Sequence, residues 1–241
     1  MADVVYPPVI AFARTMFRAL NMKITIEGEA HVPAGGGAVI ACNHISYLDF
    51  IFCGLGARRS RRLVRFMAKD SIFRHRVGGP LMRGMHHIPV DRDAGMASYK
   101  AALSALKAGE VVGVFPEATI SPSFMIKELK SGAARLAAAT ATPLVPMVLW
   151  GTQRFWTKGH PRNLTQRGVA VTISIGEPLY PGRRENQDAV TAQLRTRMEA
   201  MLDRVQRRYP QQPSGPDDTW WLPEHLGGSA PKPAVYEPEA Q

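Results

Sequence analysis

The segment from Asn43 to Asp49 places a histidine and a carboxylate where they could carry out acid–base chemistry. An apolar run ends just before it and a helical pattern follows, and ligands bind at strand ends in α/β sheets. On an ideal helix His44 and Asp49 would lie about 140° apart, so their side chains meet only if His44 lies in the turn and folds back over the helix. There the carboxylate would fix the imidazole tautomer and leave one nitrogen free to take a proton. The spacing therefore predicts a general base that activates a hydroxyl of the substrate.

The same residues also fit a structural interpretation that involves no chemistry. Ser46 is followed three residues later by Asp49, which is close to a helix capping box, and Asn43 and His44 are acceptable turn residues. These seven residues alone leave both interpretations open. The choice depends on which other motifs accompany them.

Four blocks of sequence, in order, resemble the lysophosphatidic acid acyltransferases, the glycerolipid acyltransferases that carry an NHxxxxD box. Asn43, His44 and Asp49 match that box position for position. The four blocks are NHISYLD (43–49), GMHHIPVDR (84–92), FPEATIS (115–121) and PLVPMVLWG (143–151). They follow one another over about 110 residues, which leaves little room for chance.

The resemblance implies a role for the first block and a reaction for the chain. In these enzymes the histidine is the general base and the aspartate orients it, so His44 and Asp49 are the implied catalytic residues and Asn43 completes the motif. The implied reaction moves a fatty acyl group from acyl-CoA or an acyl carrier protein to the free hydroxyl of 1-acyl-glycerol-3-phosphate. It gives phosphatidic acid for phospholipid synthesis and requires no cofactor.

The second and third blocks bind the phosphate of the acceptor in this family. Arg92, Glu117 and Thr119 are therefore implied acceptor-site residues, and Gly84 begins the second block. Arg92 suits a bidentate phosphate contact. Without the resemblance, Arg92 would more simply be a solvated partner of a neighbouring aspartate.

Two departures from the family pattern fall in the third block. Ala118 stands where the family has glycine, so a positive φ at this position would be strained. Ile120 stands where the family has arginine, so one phosphate ligand is missing, and we hypothesise that Lys130 replaces its charge. The form FPEATIS and the later segment WGTQRFWTK (150–158) resemble the actinobacterial branch of the family.

Strand-like and helical patterns alternate along the chain, which predicts an α/β layered domain with a mixed sheet flanked by helices. Strands are expected near 23–29, 38–42, 63–67, 87–90, 111–115, 144–149 and 169–175. Helices are expected over 46–54, 94–107, 131–140 and 186–209, with helical pieces between 70 and 85. The acyltransferase domain is expected to span residues 22–209.

The two ends of the chain differ from this domain. Residues 1–21 are expected to form an amphipathic helix, which either packs on the core or lies in a lipid interface with its arginines among the headgroups. Residues 210–241 contain seven prolines and little apolar periodicity, which predicts a mostly disordered tail. Trp220, Trp221 and Leu222 are the part of that tail that could dock on the domain.

The charge of the chain favours a polyanionic partner. The net charge is +10, and residues 210–241 hold five acids against one base, so the remaining body carries +14. Residues 58–76 contain eight bases against one acid, which is typical of a solvated face or of a patch that binds anionic headgroups or coenzyme A phosphates. No nucleic-acid-binding motif accompanies these bases, so a nucleic-acid partner is not expected.

The sequence also bounds the location of the protein. It has no run of about 18 uncharged apolar residues and no secretory signal pattern, so a spanning helix and export are not expected. We expect a peripheral protein on the cytoplasmic face of the cell membrane, with Cys42 and Cys53 reduced. His86 and His87 lack regular ligand spacing, so no metal site is expected.

Three alternatives stay open. The acceptor could be glycerol-3-phosphate or a glycolipid, the chain could bind anionic lipid without catalysis, or it could bind nucleic acid. Thiol release from acyl-CoA separates an enzyme from both binding functions, and a salt-dependent shift with DNA or RNA reveals a nucleic-acid binder. The sequence has no GxSxG elbow, Walker loop or GxGxxG motif, so hydrolase, nucleotide-triphosphatase and dinucleotide-dependent functions lack support.

Overall fold

The computed structural model of the protein describes residues 3–91 and 95–233. In this range the strands are β1 Lys23–Glu27, β2 Ala38–Cys42, β3 Val64–Lys69, β4 Ile88–Val90, β5 Val111–Val114, β6 Leu144–Trp150 and β7 Ala170–Ile175. They form one sheet in the order β1-β7-β6-β2-β5-β3-β4. β6 and β7 are antiparallel and the other neighbours are parallel, so the predicted mixed sheet is confirmed.

Helices cover both faces of the sheet. They are α1 Tyr6–Ala19, α2 Asp49–Gly56, α3 Asp70–Phe73, α4 Gly78–Gly84, α5 Gly95–Lys107, α6 Gly132–Thr140 and α7 Gln187–Arg207. Phe17 of α1 and Phe52 of α2 belong to the apolar cluster on one face, whereas α5, α6 and α7 pack on the other face. This is a three-layer α/β arrangement. Among the described residues, no helix is both long and apolar enough to cross a bilayer.

β2 is the strand that fixes the position of the first sequence block. All of its residues are fully buried, as expected for a strand with helices on both faces. Val39 and Ala41 face the cluster with α5 to α7, and Ile40 and Cys42 face α1 and α2. β2 is parallel to its neighbours β5 and β6. β3 lies between β5 and β4 and is parallel to both. The four sequence blocks therefore meet at one edge of the sheet.

The helix after β2 begins later than the sequence predicts. We expected it to start near Ser46, but α2 begins at Asp49. The Ser46 hydroxyl donates to the backbone carbonyl of Trp156 at 2.7 Å, and the N–H of Tyr47 donates to the same carbonyl at 3.1 Å. Because these bonds hold the residues before Asp49 to a distant segment, the helix forms only after them.

α1 is fixed to the domain at its first turn. The Tyr6 hydroxyl donates to a backbone carbonyl of β3 at 2.6 Å. The Arg65 guanidinium donates to the Asp3 carboxylate at 2.7 and 2.9 Å. Gly84, which begins the second block, lies so close to Val5 that a Cβ on it would be 2.5 Å from a Val5 methyl carbon. The start of α1 therefore packs against β3 and α4.

One residue of the basic segment does not face solvent. Arg65 is 4% exposed and also donates to Glu110 at 3.2 Å and to the carbonyl of Met85 at 3.0 Å. Its charge is balanced inside the fold by Asp3 and Glu110, so Arg65 is not part of a surface patch. The exposed bases of the segment are Arg58, Arg59, Arg61, Lys69, Arg74 and Arg76.

Residues 210–233 pack against the domain, which corrects the prediction of a mostly disordered tail. Trp221 is fully buried, and its ring contacts Tyr209 edge-on at a centroid distance of 5.6 Å. Its indole N–H donates to Asp218 at 3.1 Å. Trp221 belongs to the part of the tail that the sequence indicated could dock, and one large aromatic side chain can hold a proline-rich segment in place. Residues 234–241 lie outside the described residues.

Replacing Trp221 by alanine should lower the free energy of unfolding by about 3–5 kcal/mol, because loss of a fully buried indole leaves a cavity. Urea unfolding followed by circular dichroism measures the change. Trp220→Ala is the matched control, since the neighbouring indole is only half-buried and its loss should cost less. Equal stability of the Trp221→Ala variant and the parent would contradict the docking of this segment.

Candidate active site

Three segments meet at the sheet edge formed by the carboxyl ends of β2, β5 and β6. They are the His44 loop (residues 43–48), the Glu117 loop (residues 115–130) and the Thr152 turn (residues 151–157). The second sequence block reaches the same edge at the end of β4. Arg92, the implied phosphate ligand of that block, lies outside the described residues.

Asn43 ties the His44 loop to β6. The side chain is fully buried, and its Oδ1 accepts the N–H of Leu149 at 2.7 Å while its Nδ2 donates to the carbonyl of Leu149 at 3.1 Å. The amide thus makes the pair of hydrogen bonds that another strand residue would make. The loop consequently leaves the sheet at a fixed point.

Asp49 is completely buried, and its carboxylate has partners on both oxygens. Oδ2 accepts the backbone N–H of Ile45 at 2.7 Å and of Ser46 at 2.8 Å, and it lies 3.0 Å from His44 Nδ1. Oδ1 accepts the hydroxyl of Thr152 at 2.6 Å. A buried charge is costly unless it is paired and hydrogen-bonded, and these partners meet that requirement.

Only half of the predicted capping box forms, because α2 begins at Asp49 and its N-cap, Leu48, has no side-chain cap. Asp49 reaches back to the N–H of Ser46, as the acid of a capping box does, and the same oxygen contacts the imidazole of His44. The group that ends the loop is therefore also the group that orients the histidine.

His44 is oriented for proton transfer through its outer nitrogen. An ionised carboxylate only accepts hydrogen bonds, so the contact with Asp49 assigns the proton to Nδ1 and leaves a lone pair on Nε2. The His44 side chain is 21% exposed, and its ring stacks on Phe115 at a centroid distance of 4.4 Å. An imidazole held in this way can act as a general base toward a hydroxyl.

Glu117 holds the backbone of His44. It is 4% exposed, and its two oxygens accept the N–H of His44 at 2.9 Å and of Lys127 at 3.1 Å. The carbonyl of His44 accepts the N–H of Ser121 at 2.8 Å. Burial raises the pKa of Glu117 to about 7, against the lowering effect of the two backbone N–H groups. Both oxygens thus face the protein backbone, which differs from the implied contact with a phosphate.

The next residues of the Glu117 loop are exposed. Ala118 has a φ of +61°, so it keeps the left-handed conformation suited to the family's glycine, at a cost of about 1–2 kcal/mol. The ammonium group of Lys127 donates to the hydroxyl of Thr119. Lys130, our candidate for the missing charge, is exposed, and its backbone N–H donates to Pro116 at 3.0 Å. Lys127 is therefore the lysine that lies beside Thr119.

Sequence patterns do not identify Thr152 and Thr157 as site residues. Thr152 donates to Asp49 at 2.6 Å, and Thr157 donates to the carbonyl of Ile45 at 2.7 Å. The carbonyl of Trp156 accepts two further hydrogen bonds from the His44 loop. The one sequence feature that could have indicated them is that both threonines follow soon after the end of an apolar strand.

An apolar cleft of about 200 Å³ lies beneath α1. Phe17, Phe50 and Phe66 line it, and Phe66 stacks on Phe115 at a centroid distance of 6.1 Å. Phe115 in turn stacks on His44, so aromatic rings connect the cleft to the imidazole. The basic residues that also line the cleft are Arg14, Arg58, Arg61 and Arg62.

His87 lies at the same cleft but is held neutral. Burial, together with the nearby charge of Arg65, lowers the pKa of His87 to about 4, and its Nδ1 accepts the N–H of Phe66 at 3.1 Å. Cys42 and Cys53 are buried free thiols. Within residues 3–91 and 95–233, no group of three or more His, Cys, Asp or Glu side chains is placed to hold a metal ion.

The sequence is similar to known acyltransferases. A sequence model of the family described as Acyltransferase matches residues 23–150. A 1-acyl-sn-glycerol-3-phosphate acyltransferase of Bacillus subtilis is 30% identical over 199 residues, which are 82% of this chain and 92% of that protein. A chloroplast enzyme of the same name from Arabidopsis thaliana is 30% identical over 185 residues, and the match covers 75% of this chain and 49% of that relative. The actinobacterial branch stays a prediction.

The fold is similar to a solved structure as well. The crystal structure of the 1-acyl-sn-glycerophosphate acyltransferase from Thermotoga maritima matches with a TM-score of 0.70 at 20% identity. The match covers 85% of this chain and 81% of that chain. At this level of identity the likeness establishes the α/β fold alone.

The raised pKa of Glu117 predicts a pH-dependent stability. The pKa of Glu117 is about 7 in the folded protein, whereas its ordinary value is 4.5. Between these two pH values the folded state therefore holds a proton that the unfolded state has lost. The stability contributed by Glu117 should therefore be complete below pH 4.5 and fall by about 3 kcal/mol as the pH rises through 7.

Urea unfolding of the parent and of Glu117→Gln across this pH range tests the prediction. The Glu117→Gln variant should lack the fall, although it loses one backbone hydrogen bond at every pH. Glu128→Gln is the matched control, because Glu128 is an exposed residue of the same loop. Parallel pH curves for the parent and Glu117→Gln would rule out the raised pKa.

Proposed function

Because the chain belongs to the acyltransferase family that includes the 1-acyl-sn-glycerol-3-phosphate acyltransferases, we propose that its acceptor is the free hydroxyl of 1-acyl-glycerol-3-phosphate. The acyl group comes from a thioester, and the product is phosphatidic acid. The observation that carries the proposal is the 3.0 Å contact between His44 Nδ1 and Asp49 Oδ2.

In the proposed reaction, His44 Nε2 takes the proton of the acceptor hydroxyl while that oxygen attacks the thioester carbonyl. Asp49 keeps the other proton on Nδ1 and stabilises the imidazolium that forms. The tetrahedral oxyanion collapses with cleavage of the carbon–sulfur bond, and the imidazolium returns its proton to the leaving thiolate. Each cycle makes one ester and one free thiol and restores the neutral histidine.

We assign the acceptor phosphate to Arg92 and the exposed part of the Glu117 loop. Arg92 offers a bidentate contact, and Thr119, Lys127 and Lys130 offer a hydroxyl and positive charge where the family's arginine is absent. Glu117 has a different role in this proposal, because it is buried and both its oxygens accept backbone N–H groups. It positions the His44 loop.

The apolar cleft beneath α1 is our candidate for the acyl chain of the donor. Its lining is mostly apolar, and the stacked rings of Phe66 and Phe115 lead from it to His44. A chain seated there would bring its thioester carbonyl toward the base. The donor is acyl-CoA or an acyl carrier protein, and the net charge of +10 favours either polyanionic carrier.

We further propose that the protein binds the cytoplasmic face of the membrane peripherally. Val4 and Phe12 are 79% and 71% exposed, and Arg14 and Arg18 lie on the same helix as Phe12. The large apolar side chains exposed in and near α3 and α4 are Ile72, Val77 and Leu81. α4 contacts the start of α1, and we propose that these exposed apolar side chains face a lipid interface. Both substrates are amphiphiles that concentrate there.

The proposed function predicts thiol release when the purified protein receives lysophosphatidic acid and acyl-CoA. His44→Ala should lower kcat by about 10²–10⁴-fold, because the general base is lost. Asp49→Asn should also lower kcat, because the imidazole loses its orienting carboxylate. His75→Ala, at an exposed histidine of the loop before α4, should keep the parent rate.

A His44→Ala variant as fast as the parent would exclude this histidine as the base. An inactive parent that still binds anionic vesicles would favour a lipid-binding module. Parallel reactions with glycerol-3-phosphate and with glycolipid acceptors show whether lysophosphatidic acid is preferred.

The membrane proposal predicts that Phe12→Glu weakens binding to anionic vesicles in a sedimentation assay. The substitution places a negative charge on the exposed apolar face of α1, where it would be repelled by anionic headgroups. Tyr180→Glu is the matched control, since Tyr180 is 75% exposed and its neighbour Leu179 packs in the cluster on the face of the sheet opposite α1. Equal binding by both variants and the parent would argue against an interfacial role for α1.

A further inference from the structure

The C-terminal segment, residues 210–233, contacts the Thr152 turn, and we propose that it positions the His44–Asp49 pair through this turn. The turn begins where the family match, residues 23–150, ends, so neither partner of the contact belongs to the matched region. The inference rests on the proposed acyl transfer, because its effect is measured as a rate.

Arg154 joins the turn to the C-terminal segment by three interactions. It is 9% exposed, and its guanidinium donates to Gln211 at 2.8 Å. It also lies 4.0 Å from the carboxylate of Asp218 and 4.5 Å from the centre of the Trp221 ring. A guanidinium with so little exposure needs polar partners. The planar group of Arg154 contacts the side-chain carbonyl of Gln211, the carboxylate of Asp218 and the ring face of Trp221 at the same time. The position of the turn therefore depends on this segment.

Gln153 makes a second connection from inside the turn. It is fully buried, its Nε2 donates to the carbonyl of Trp221 at 3.2 Å, and its Oε1 accepts the N–H of Gly151 at 2.8 Å. Gly151 has a φ of +98°, and a Cβ there would lie 2.1 Å from the carbonyl oxygen of Ala170. The turn thus starts at a position that only glycine fits, and Gln153 closes it against the C-terminal segment.

The other side of the same turn reaches the catalytic histidine. Thr152, Gln153 and Arg154 form one short 3₁₀ helix, so the two residues that contact the C-terminal segment directly follow the residue that contacts Asp49. The Thr152 hydroxyl fixes Oδ1 of Asp49 at 2.6 Å. Fixing Oδ1 sets the rotation of the carboxylate, and this rotation aims Oδ2 at His44. Thr152 and Arg154 are thus positioning residues.

A second contact of the C-terminal segment, with the Glu117 loop, gives independent support. Trp220 meets Phe124 edge-on at a centroid distance of 6.4 Å, and Phe124 is a buried residue of the Glu117 loop. That loop holds the backbone of His44 through Glu117. The C-terminal segment therefore touches both structures that support His44.

A double-mutant cycle on the full chain tests the inference. Arg154→Met removes the connection to the C-terminal segment, Thr152→Val removes the hydroxyl on Asp49, and Thr152→Ser should restore most of the Thr152→Val loss. Each disruptive single variant should lower kcat about tenfold in the thiol-release assay, with both KM values within about twofold of the parent. The double variant should be no slower than Thr152→Val alone, because both changes act on one contact.

Circular dichroism confirms that each variant is folded at the assay temperature. If Arg154→Met does not fold, Gln211→Ala takes its place, since Gln211 accepts the Arg154 hydrogen bond. Glu224→Gln should leave kcat unchanged, because Glu224 is an exposed residue of the C-terminal segment that pairs with Lys232.

Three results would overturn the inference: an unchanged kcat in folded Arg154→Met, a loss confined to KM, or losses that multiply in the double variant. These outcomes are separate from failure of the proposed function. An inactive parent counts against acyl transfer itself, whereas an active parent with multiplying losses counts only against positioning by the C-terminal segment.

Discussion

The buried carboxylate of Asp49 is the group on which the arrangement of the site depends. Its partners come from the His44 loop and from the Thr152 turn, which are far apart in sequence. An unpaired charge at this depth would cost several kcal/mol, so the two segments must converge for the chain to fold. The same hydrogen bonds set the tautomer of His44. A requirement of folding and a requirement of proton transfer are thus satisfied by one carboxylate.

The sheet makes this convergence possible. Because β2, β5 and β6 are parallel neighbours, the segments that follow them leave the sheet at one edge. Each loop then fixes the next by polar contacts: Asn43 bonds to β6, Glu117 to the backbone of His44, and Thr157 to the carbonyl of Ile45. Most of these bonds are buried, and together they connect the loops of the site. Movement of any one loop would therefore break hydrogen bonds that hold the other loops.

The sequence predicts the parts of this arrangement that are encoded locally. Burial on both faces makes β2 a continuous apolar run, and its bounds are those predicted, while the NHxxxxD spacing anticipates the contact between His44 and Asp49. What it misses depends on distant partners. The orientation of Glu117 toward backbone N–H groups and the bond from Thr152 to Asp49 appear only when the chain is folded. The sequence indicates that Trp221 and its neighbours could dock, but proline content and aromatic residues do not indicate which surface the segment meets.

The pairing of the first strand with the last also affects how the molecule can be made. β1 lies at the edge of the sheet, and its neighbour there is β7. A ribosome therefore releases β1 long before its partner exists, which leaves an open strand edge during synthesis. Pairing between segments so far apart in sequence is slow, and until it occurs the unpaired edge of β1 can pair with other chains. It follows that residues 23–150, although they carry the family signature, do not contain the strand that pairs with their own first strand.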